Sequence, residues 1–157
     1  MLLVMKNKTR VFLENYISIF ENLSEKNYHQ LENALTSDVI FEDPFNRIKG
    51  KDDFIEIFRE MFKKLDNPFF KVTDYFISEN TDNKHIGYLK WVLKGNFRNK
   101  NKKISITGMS EVSFDIQGKV IYHIDYWDSL TQLIVELPYI GKFIKKILKI
   151  VFKFNNI

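Results

Sequence analysis

The spacing of apolar residues changes near the middle of this chain, from a helical period to an alternating one. Up to about residue 65, apolar side chains recur every third or fourth position, as in amphipathic helices. From about residue 70 they alternate with polar side chains, as in strands with one buried face. Helices followed by successive strands predict an α+β fold, with N-terminal helices packed on an antiparallel sheet. The 157 residues suffice for one domain with its own core.

The same pattern gives approximate element positions. Helices are expected at residues 9–22, after Ser24 and at residues 51–65, where Asn67-Pro68 ends the last of them. Turn residues at 80–83, 99–101 and Gln117-Gly118 separate the strands. One short strand is expected at residues 39–41, and four long strands are marked by apolar segments at 70–72 with 75–77, 86–92, 104–106 with 112–114, and 120–127.

Composition narrows the chemistry that the chain can support. It contains no cysteine, which excludes disulfides, thiolate zinc sites and a cysteine nucleophile. His29, His85 and His123 are far apart and lack the spacing of metal ligands, so we expect no metal and no cofactor. The 15 phenylalanines and 7 tyrosines suit a strand-rich core or a cavity lined by flat side chains.

The positive charge is concentrated near the C-terminus. The net charge is +4, but residues 139–154 hold five lysines and no acidic residue, which leaves 19 basic and 20 acidic residues elsewhere. We therefore expect no nucleic-acid-binding surface across the fold. The apolar segment at residues 1–5 is too short for a signal peptide or a membrane span, and we expect a cytoplasmic protein.

Two sequence segments resemble the NTF2-like superfamily. The segment Phe41-Glu42-Asp43-Pro44, with Gly50 and the helix that follows, resembles ketosteroid isomerases and SnoaL-like cyclases. The segment Gly118 to Asp128 resembles the last strand of those isomerases, and its Asp125-Tyr126-Trp127-Asp128 is similar to the ending of limonene-epoxide hydrolases. The resemblance covers about residues 9–136. It implies an NTF2-like cone of helices on a curved sheet, and a homodimer formed through the exposed sheet face.

The last predicted strand supplies one wall of the expected pocket. Alternate side chains of a strand share a face, so Ile121, His123, Asp125 and Trp127 should project the same way. The resemblance to the isomerases implies that this face lines the cone. The remaining residues expected around the substrate are Phe41, Phe58, Trp91 and Ser110.

The resemblance also implies catalytic roles. Asp43 matches the general base of the isomerases, and Tyr16 matches the phenol that stabilises their oxyanion. Ser110 stands where those isomerases have a second acid, so half of that oxyanion hole is replaced. Asp125 matches the water-activating aspartate of the epoxide hydrolases, but the strand at residues 86–97 lacks their second acid. The chain is thus expected to combine Asp43 and Asp125, with His123 as a further donor.

Each of these residues also has a structural interpretation. Asp43 precedes a proline and suits a turn, and Tyr16 lies on an apolar helix face. His123 can be a core histidine hydrogen-bonded to Asp125. Asp128 is expected to be the N-cap of the next helix.

Residues 138–157 are expected to extend a domain that spans residues 1–137. A helix is predicted at residues 130–137, and after Pro138 a basic amphipathic helix follows. Packing of this helix, on the sheet, over the cone or in a dimer, is the favoured interpretation, and contact with an anionic membrane surface is the alternative. Its lysines are Lys142, Lys145, Lys146 and Lys149, with Lys153 beyond them.

The sequence therefore supports three hypotheses about function. The first is an acid–base isomerase, cyclase or hydrolase that acts on a small apolar molecule. The second is a non-catalytic module that binds a lipophilic ligand, because neither enzyme family's full residue set is present. The third is a membrane-peripheral interaction protein that uses the C-terminal helix.

Overall fold

The structure, a computed structural model, describes residues 2–78, 84–98, 102–137 and 139–152. The turns predicted at 80–83 and 99–101 and the break at Pro138 lie outside these residues. The elements in chain order are α1 (Leu2–Glu21), a 3-10 helix (Tyr28–Ala34), β1 (Leu35–Glu42), β2 (Arg47–Lys49), α2 (Lys51–Lys64), β3 (Leu65–Ile77), β4 (His85–Phe97), β5 (Lys103–Phe114), β6 (Val120–Trp127), α3 (Ser129–Gln132), a second 3-10 helix (Ile134–Glu136) and α4 (Ile140–Phe152).

The six strands form one mixed sheet in the order β2-β1-β6-β5-β4-β3. All neighbours are antiparallel except β1 and β6, which run parallel with Phe41 beside His123. The predicted α+β class is confirmed, but the expectation of a purely antiparallel sheet was wrong. A long connection through α2 and four strands separates β1 from β6, and such a connection allows parallel pairing.

Helices α1 and α2 cover the same side of the sheet. In α1, the buried residues Leu13, Tyr16 and Phe20 are spaced by three and four positions, and they face β3 and β4. Val11, which the helical pattern also includes, is 53% exposed. In α2, the buried stripe is Phe54, Ile55, Phe58 and Phe62.

Local sequence signals predict the ends of α2 correctly, but they do not predict the type of helix after Ser24. Gly50, with a φ of +116°, precedes α2, and acidic residues in the first turn and lysines in the last turn match the helix dipole. The segment after Ser24 is a 3-10 helix rather than an α-helix, and Leu35 begins β1.

Pro68 lies inside β3, where the prediction had only a helix stop. Asp66 pairs with Asn96 and Phe69 with Lys94, so Asn67 and Pro68 together face Gly95 as a bulge. β3 is an edge strand, and a proline at an edge bulge removes little from the hydrogen-bond ladder. The strand can therefore begin directly at the end of α2.

A second irregularity decides which side chains of β6 face inward. Tyr122 pairs with Ser113 and Val120 pairs with Phe114, which leaves Ile121 as an extra residue. Val120 and His123 are both buried, whereas Ile121 is 42% exposed. The predicted position of Ile121 on the pocket face was wrong, because strict alternation does not survive a bulge.

The segment after β6 is anchored by two polar side chains. Asp128 is the N-cap of α3, as predicted, and hydrogen bonds from the Thr131 hydroxyl and backbone N–H lower the pKa of its carboxyl. The Gln132 side chain accepts from Thr107 N at 2.6 Å and donates to Thr107 O at 3.0 Å. The single helix expected at 130–137 is two short turns. Among the described helices, none is long and apolar enough to cross a membrane.

The buried His85 gives a pH-dependent test of this packing. Its Nδ1 lies 2.7 Å from Thr9 Oγ1 and its ring contacts Phe12, and burial followed by the charge of Lys8 lowers its pKa. Below about pH 6.5, the unfolded chain protonates this side chain while the folded protein resists it. The free energy of unfolding should therefore fall as pH drops below that value.

We expect His85→Gln to weaken this pH dependence, and His29→Gln, at an exposed position, to leave it unchanged. Urea unfolding above and below about pH 6.5 measures the difference. Equal pH dependence in wild type and His85→Gln would contradict the expectation.

Candidate functional site

A cavity of about 150 Å³ lies between the helices and the sheet. Sixteen residues line it, and twelve of them are apolar. This wall combines residues of α1 and α2 with the inner faces of β1, β3, β4, β5 and β6. The apolar residues are Phe20, Phe41, Ile57, Phe58, Met61, Phe70, Val72, Leu89, Trp91, Leu93, Ile106 and Trp127.

Three of the four polar lining residues form one hydrogen-bonded group. Asp125 Oδ1 lies 2.8 Å from His123 Nε2 and 2.5 Å from Ser110 Oγ. Ser110 and Asp125 are direct neighbours on β5 and β6. The His123 side chain is 2% exposed and that of Asp125 19% exposed, so the carboxyl is the more accessible member of the pair.

The group extends outward to two aromatic side chains. Tyr16 on α1 places its hydroxyl 2.8 Å from His123 Nδ1, and Trp91 on β4 donates its indole N–H to Ser110 Oγ at 2.7 Å. Tyr16 is not among the residues that line the cavity. Its hydroxyl is directed at the imidazole, and its predicted contact with a substrate oxyanion stays a prediction.

The directions of these hydrogen bonds follow from the chemistry of the partners. Burial and then the charge of Asp125 raise the pKa of Tyr16 well above its usual value, so the phenol keeps its proton and donates it to His123 Nδ1. Nε2 then donates to Asp125. The Trp91 N–H occupies an acceptor site of Ser110, whose hydroxyl donates to Asp125. Two donors, His123 and Ser110, therefore converge on Oδ1.

The second carboxylate oxygen is left available. Within the described ranges, Asp125 Oδ2 has no hydrogen-bond partner. A carboxylate whose one oxygen is held by two donors has a fixed orientation, which leaves the other oxygen for a molecule in the cavity.

Aromatic packing holds the imidazole and the indole in place. The rings of Phe20, Phe41 and Phe54 surround His123, with centroids 5.4–5.8 Å from it. At Gly108, a Cβ atom would come within 2.5 Å of the Trp91 ring, so the glycine allows the indole to reach Ser110. No local pattern in the sequence points to this requirement.

Asp43 satisfies its own turn and also lines the cavity. Its Oδ1 accepts from the backbone N–H of Phe45 at 2.8 Å and of Asn46 at 2.6 Å, and the Asn46 amide reaches both carboxylate oxygens at 3.0 Å. Phe45 contacts Trp127 edge-on at 5.5 Å between centroids. The turn therefore already uses both oxygens, which argues against a catalytic role. The role suggested by the resemblance stays a prediction.

Most predicted pocket positions are brought together, and several further ones were missed. Phe41, Phe58, Trp91, Ser110 and Trp127 line the cavity, whereas Ile121 turns away from it. The missed residues include Phe20 and Met61, which the helical stripes of α1 and α2 mark as inward, together with Ile57, Phe70, Val72, Leu89, Leu93 and Ile106.

No metal site is evident in the part of the chain that the structure describes. No three histidine, aspartate or glutamate side chains in those ranges are placed to hold an ion. His123 and Asp125 are the nearest approach to such a set, and they bond to each other.

Comparison with known proteins points to one family. A family model described as "SnoaL-like domain" matches residues 16–123. No curated protein matches the sequence. The matched residues include α1 beyond Tyr16, the whole of β1 to β5 and the start of β6.

Solved structures show the same fold. A protein described as a SnoaL-like polyketide cyclase from Shewanella denitrificans OS-217 has 19% identity and a TM-score of 0.61, over 80% of this chain and 96% of the other. An LEH-like epoxide hydrolase from M. tuberculosis has 13% identity and a TM-score of 0.63, over 95% and 98%. A hypothetical protein with a ketosteroid isomerase-like fold from Catenulispora acidiphila DSM 44928, in complex with trimethylamine, has 10% identity and a TM-score of 0.64, over 78% and 88%.

Tyr16→Phe should destabilise the protein by about 1–3 kcal/mol, because it leaves the buried Nδ1 of His123 without its donor. Tyr75→Phe, which removes an exposed hydroxyl bonded to Glu14, should change stability by less than about 0.5 kcal/mol. Urea unfolding gives both values. Nitrogen NMR of wild type should show the proton of His123 on Nε2, and a proton on Nδ1 instead would contradict the assignment.

Proposed function

The chain belongs to the SnoaL-like domain family, and on this premise we propose that it is an acid–base enzyme whose Asp125 carboxylate moves a proton on a small, largely apolar molecule. The observation that supports this most directly is the arrangement of Asp125. One of its oxygens is held by His123 and Ser110, and the other is available in an apolar cavity. General acid–base catalysis needs such a group within hydrogen-bond reach of the reacting atom.

The proposed step uses the available oxygen of Asp125. Oδ2 takes a proton from the bound molecule and returns it at another position, while the donors at Oδ1 keep the carboxylate oriented. His123 and Tyr16 act behind this group as positioning residues, because Tyr16 fixes the tautomer that lets Nε2 donate.

Isomerisation or cyclisation is favoured over epoxide hydrolysis. A polyketide cyclase and an epoxide hydrolase are both described among the structural neighbours. The second acid that the epoxide-hydrolase resemblance requires is absent from β4, which runs from His85 to Phe97. A proton moved within one molecule needs only one carboxylate with an available oxygen, and Asp125 provides it.

The cavity limits the size and polarity of the substrate. A volume of about 150 Å³ has room for roughly a single six-membered ring, by comparison with apolar cavities of similar size. Its wall is aromatic and aliphatic, and its polar group is concentrated around Asp125. We therefore propose a compact apolar substrate with one oxygen function, such as a cyclic enolisable ketone.

Binding without conversion is the second candidate. Asp43 matches the general base of the isomerases, but both of its oxygens accept hydrogen bonds within its own turn. The cavity therefore has no second carboxylate free for catalysis. A lipophilic ligand would then be held by the apolar wall alone.

Asp125→Asn should lower turnover by roughly a hundredfold to ten-thousandfold, because the amide oxygen still accepts from His123 and Ser110 but the group no longer takes up a proton. Asp128→Asn, an exposed N-cap three residues further on, is the matched control and should retain activity. Deuterium exchange and product analysis with cyclic enolisable ketones measure the effect.

Asp43→Asn distinguishes the contribution of Asp43 to turnover from that of Asp125. The asparagine can still accept the turn's hydrogen bonds, so the turn should be retained. We expect its turnover to stay close to wild type. Equal turnover in wild type and Asp125→Asn would refute the proposed step, and tight ketone binding without exchange would favour the binding module.

A further inference from the structure

Helix α4 divides into three sectors around its axis. Successive residues are turned by about 100°, so the 13 residues define distinct faces over a length of about 20 Å. One sector packs against the 3-10 helix at Ile134–Glu136, and it contains Gly141, Ile144 and Leu148. Gly141 is buried there, because a Cβ at this position would lie 1.9 Å from Val135 O.

The second sector is apolar and faces solvent. Phe143 is 65% exposed, Ile147 42% and Ile150 70%, and Ile140 and Val151 flank them. The domain therefore covers only part of the predicted stripe, and packing of the rest in a dimer stays a prediction. The close approach at Gly141 turns the helix so that only its edge meets the domain, and most of the stripe is left uncovered.

The third sector is cationic. Lys142, Lys146 and Lys149 are exposed and form no ion pair in the described part of the chain, whereas Lys145 lies 3.9 Å from Glu136. Helix α4 contains no acidic residue. The exposed part of the helix thus presents an apolar strip beside a strip of positive charge.

We propose that α4 docks the protein on an anionic lipid surface, with the apolar strip in the headgroup–acyl boundary and the lysines among the headgroups. The charge pattern favours this occupant over a second copy of the chain, because two copies of α4 would bring two cationic strips together. An anionic bilayer provides an apolar layer for the apolar strip and, above it, negatively charged headgroups for the lysines. The proposal is independent of the cavity and of its chemistry.

Vesicle flotation with the full chain tests the proposal. The protein should bind vesicles of phosphatidylcholine with phosphatidylglycerol, bind phosphatidylcholine alone much more weakly, and lose binding as salt is raised. The triple variant K142Q/K146Q/K149Q should bind the anionic vesicles roughly a hundredfold more weakly. The matched control K26Q/K49Q/K94Q has the same net charge, removes exposed lysines elsewhere, and should bind nearly as well as wild type.

The apolar strip has its own test. F143S/I147S should also lose vesicle binding, whereas V11S/I116S, which changes two exposed apolar residues elsewhere, should retain it. Circular dichroism and thermal unfolding establish that each variant is folded. Binding to the anionic vesicles that is unchanged in K142Q/K146Q/K149Q overturns the proposal. A second result also overturns it: neither wild type nor any variant floats with vesicles, and wild type is a dimer that the F143S/I147S substitutions dissociate.

Discussion

An imidazole buried among phenylalanine rings sets the requirement that organises this protein. A buried polar atom without a partner costs free energy, so both ring nitrogens of His123 need hydrogen bonds. Tyr16 supplies one from α1, and Asp125 supplies the other from the same strand. The first of these bonds ties the N-terminal helix to the centre of the sheet. The second fixes the orientation of the carboxylate that faces the cavity.

The rest of the site is built to hold that carboxylate in an apolar surrounding. The bulge at Ile121 sends both Val120 and His123 inward, and the parallel pairing of β1 with β6 places Phe41 beside the imidazole. Gly108 lets the Trp91 indole reach Ser110, which donates the second hydrogen bond to Asp125. Strands supply most of the remaining apolar wall, and four helical residues, Phe20, Ile57, Phe58 and Met61, complete it. The polar chemistry therefore comes from three neighbouring strands, and the helices packed over them cover the cavity.

The C-terminal helix differs in charge from the part of the chain that forms the cavity. Outside residues 139–154 the chain is nearly neutral, and exposed ion pairs such as Lys63 with Glu60 balance its charges. Among the lysines of α4, Lys145 lies near an acidic residue, Glu136, which also pairs with Lys102. An unbalanced charge beside an uncovered apolar strip distinguishes this helix from α1 and α2, whose apolar stripes are buried.

The sequence by itself determined the α+β class, the limits of α2, the cap at Asp128 and most of the pocket's aromatic residues, because periodicity and capping depend on residues close together in the chain. Only the tertiary structure decided that Ile121 turns outward, that β1 runs parallel to β6, and that the Tyr16 hydroxyl meets His123. Tyr16 and His123 are 107 residues apart, and Ser110 and Asp125 are 15 apart. Such partners are chosen by strand register and by the need to satisfy buried polar atoms, neither of which a local pattern records.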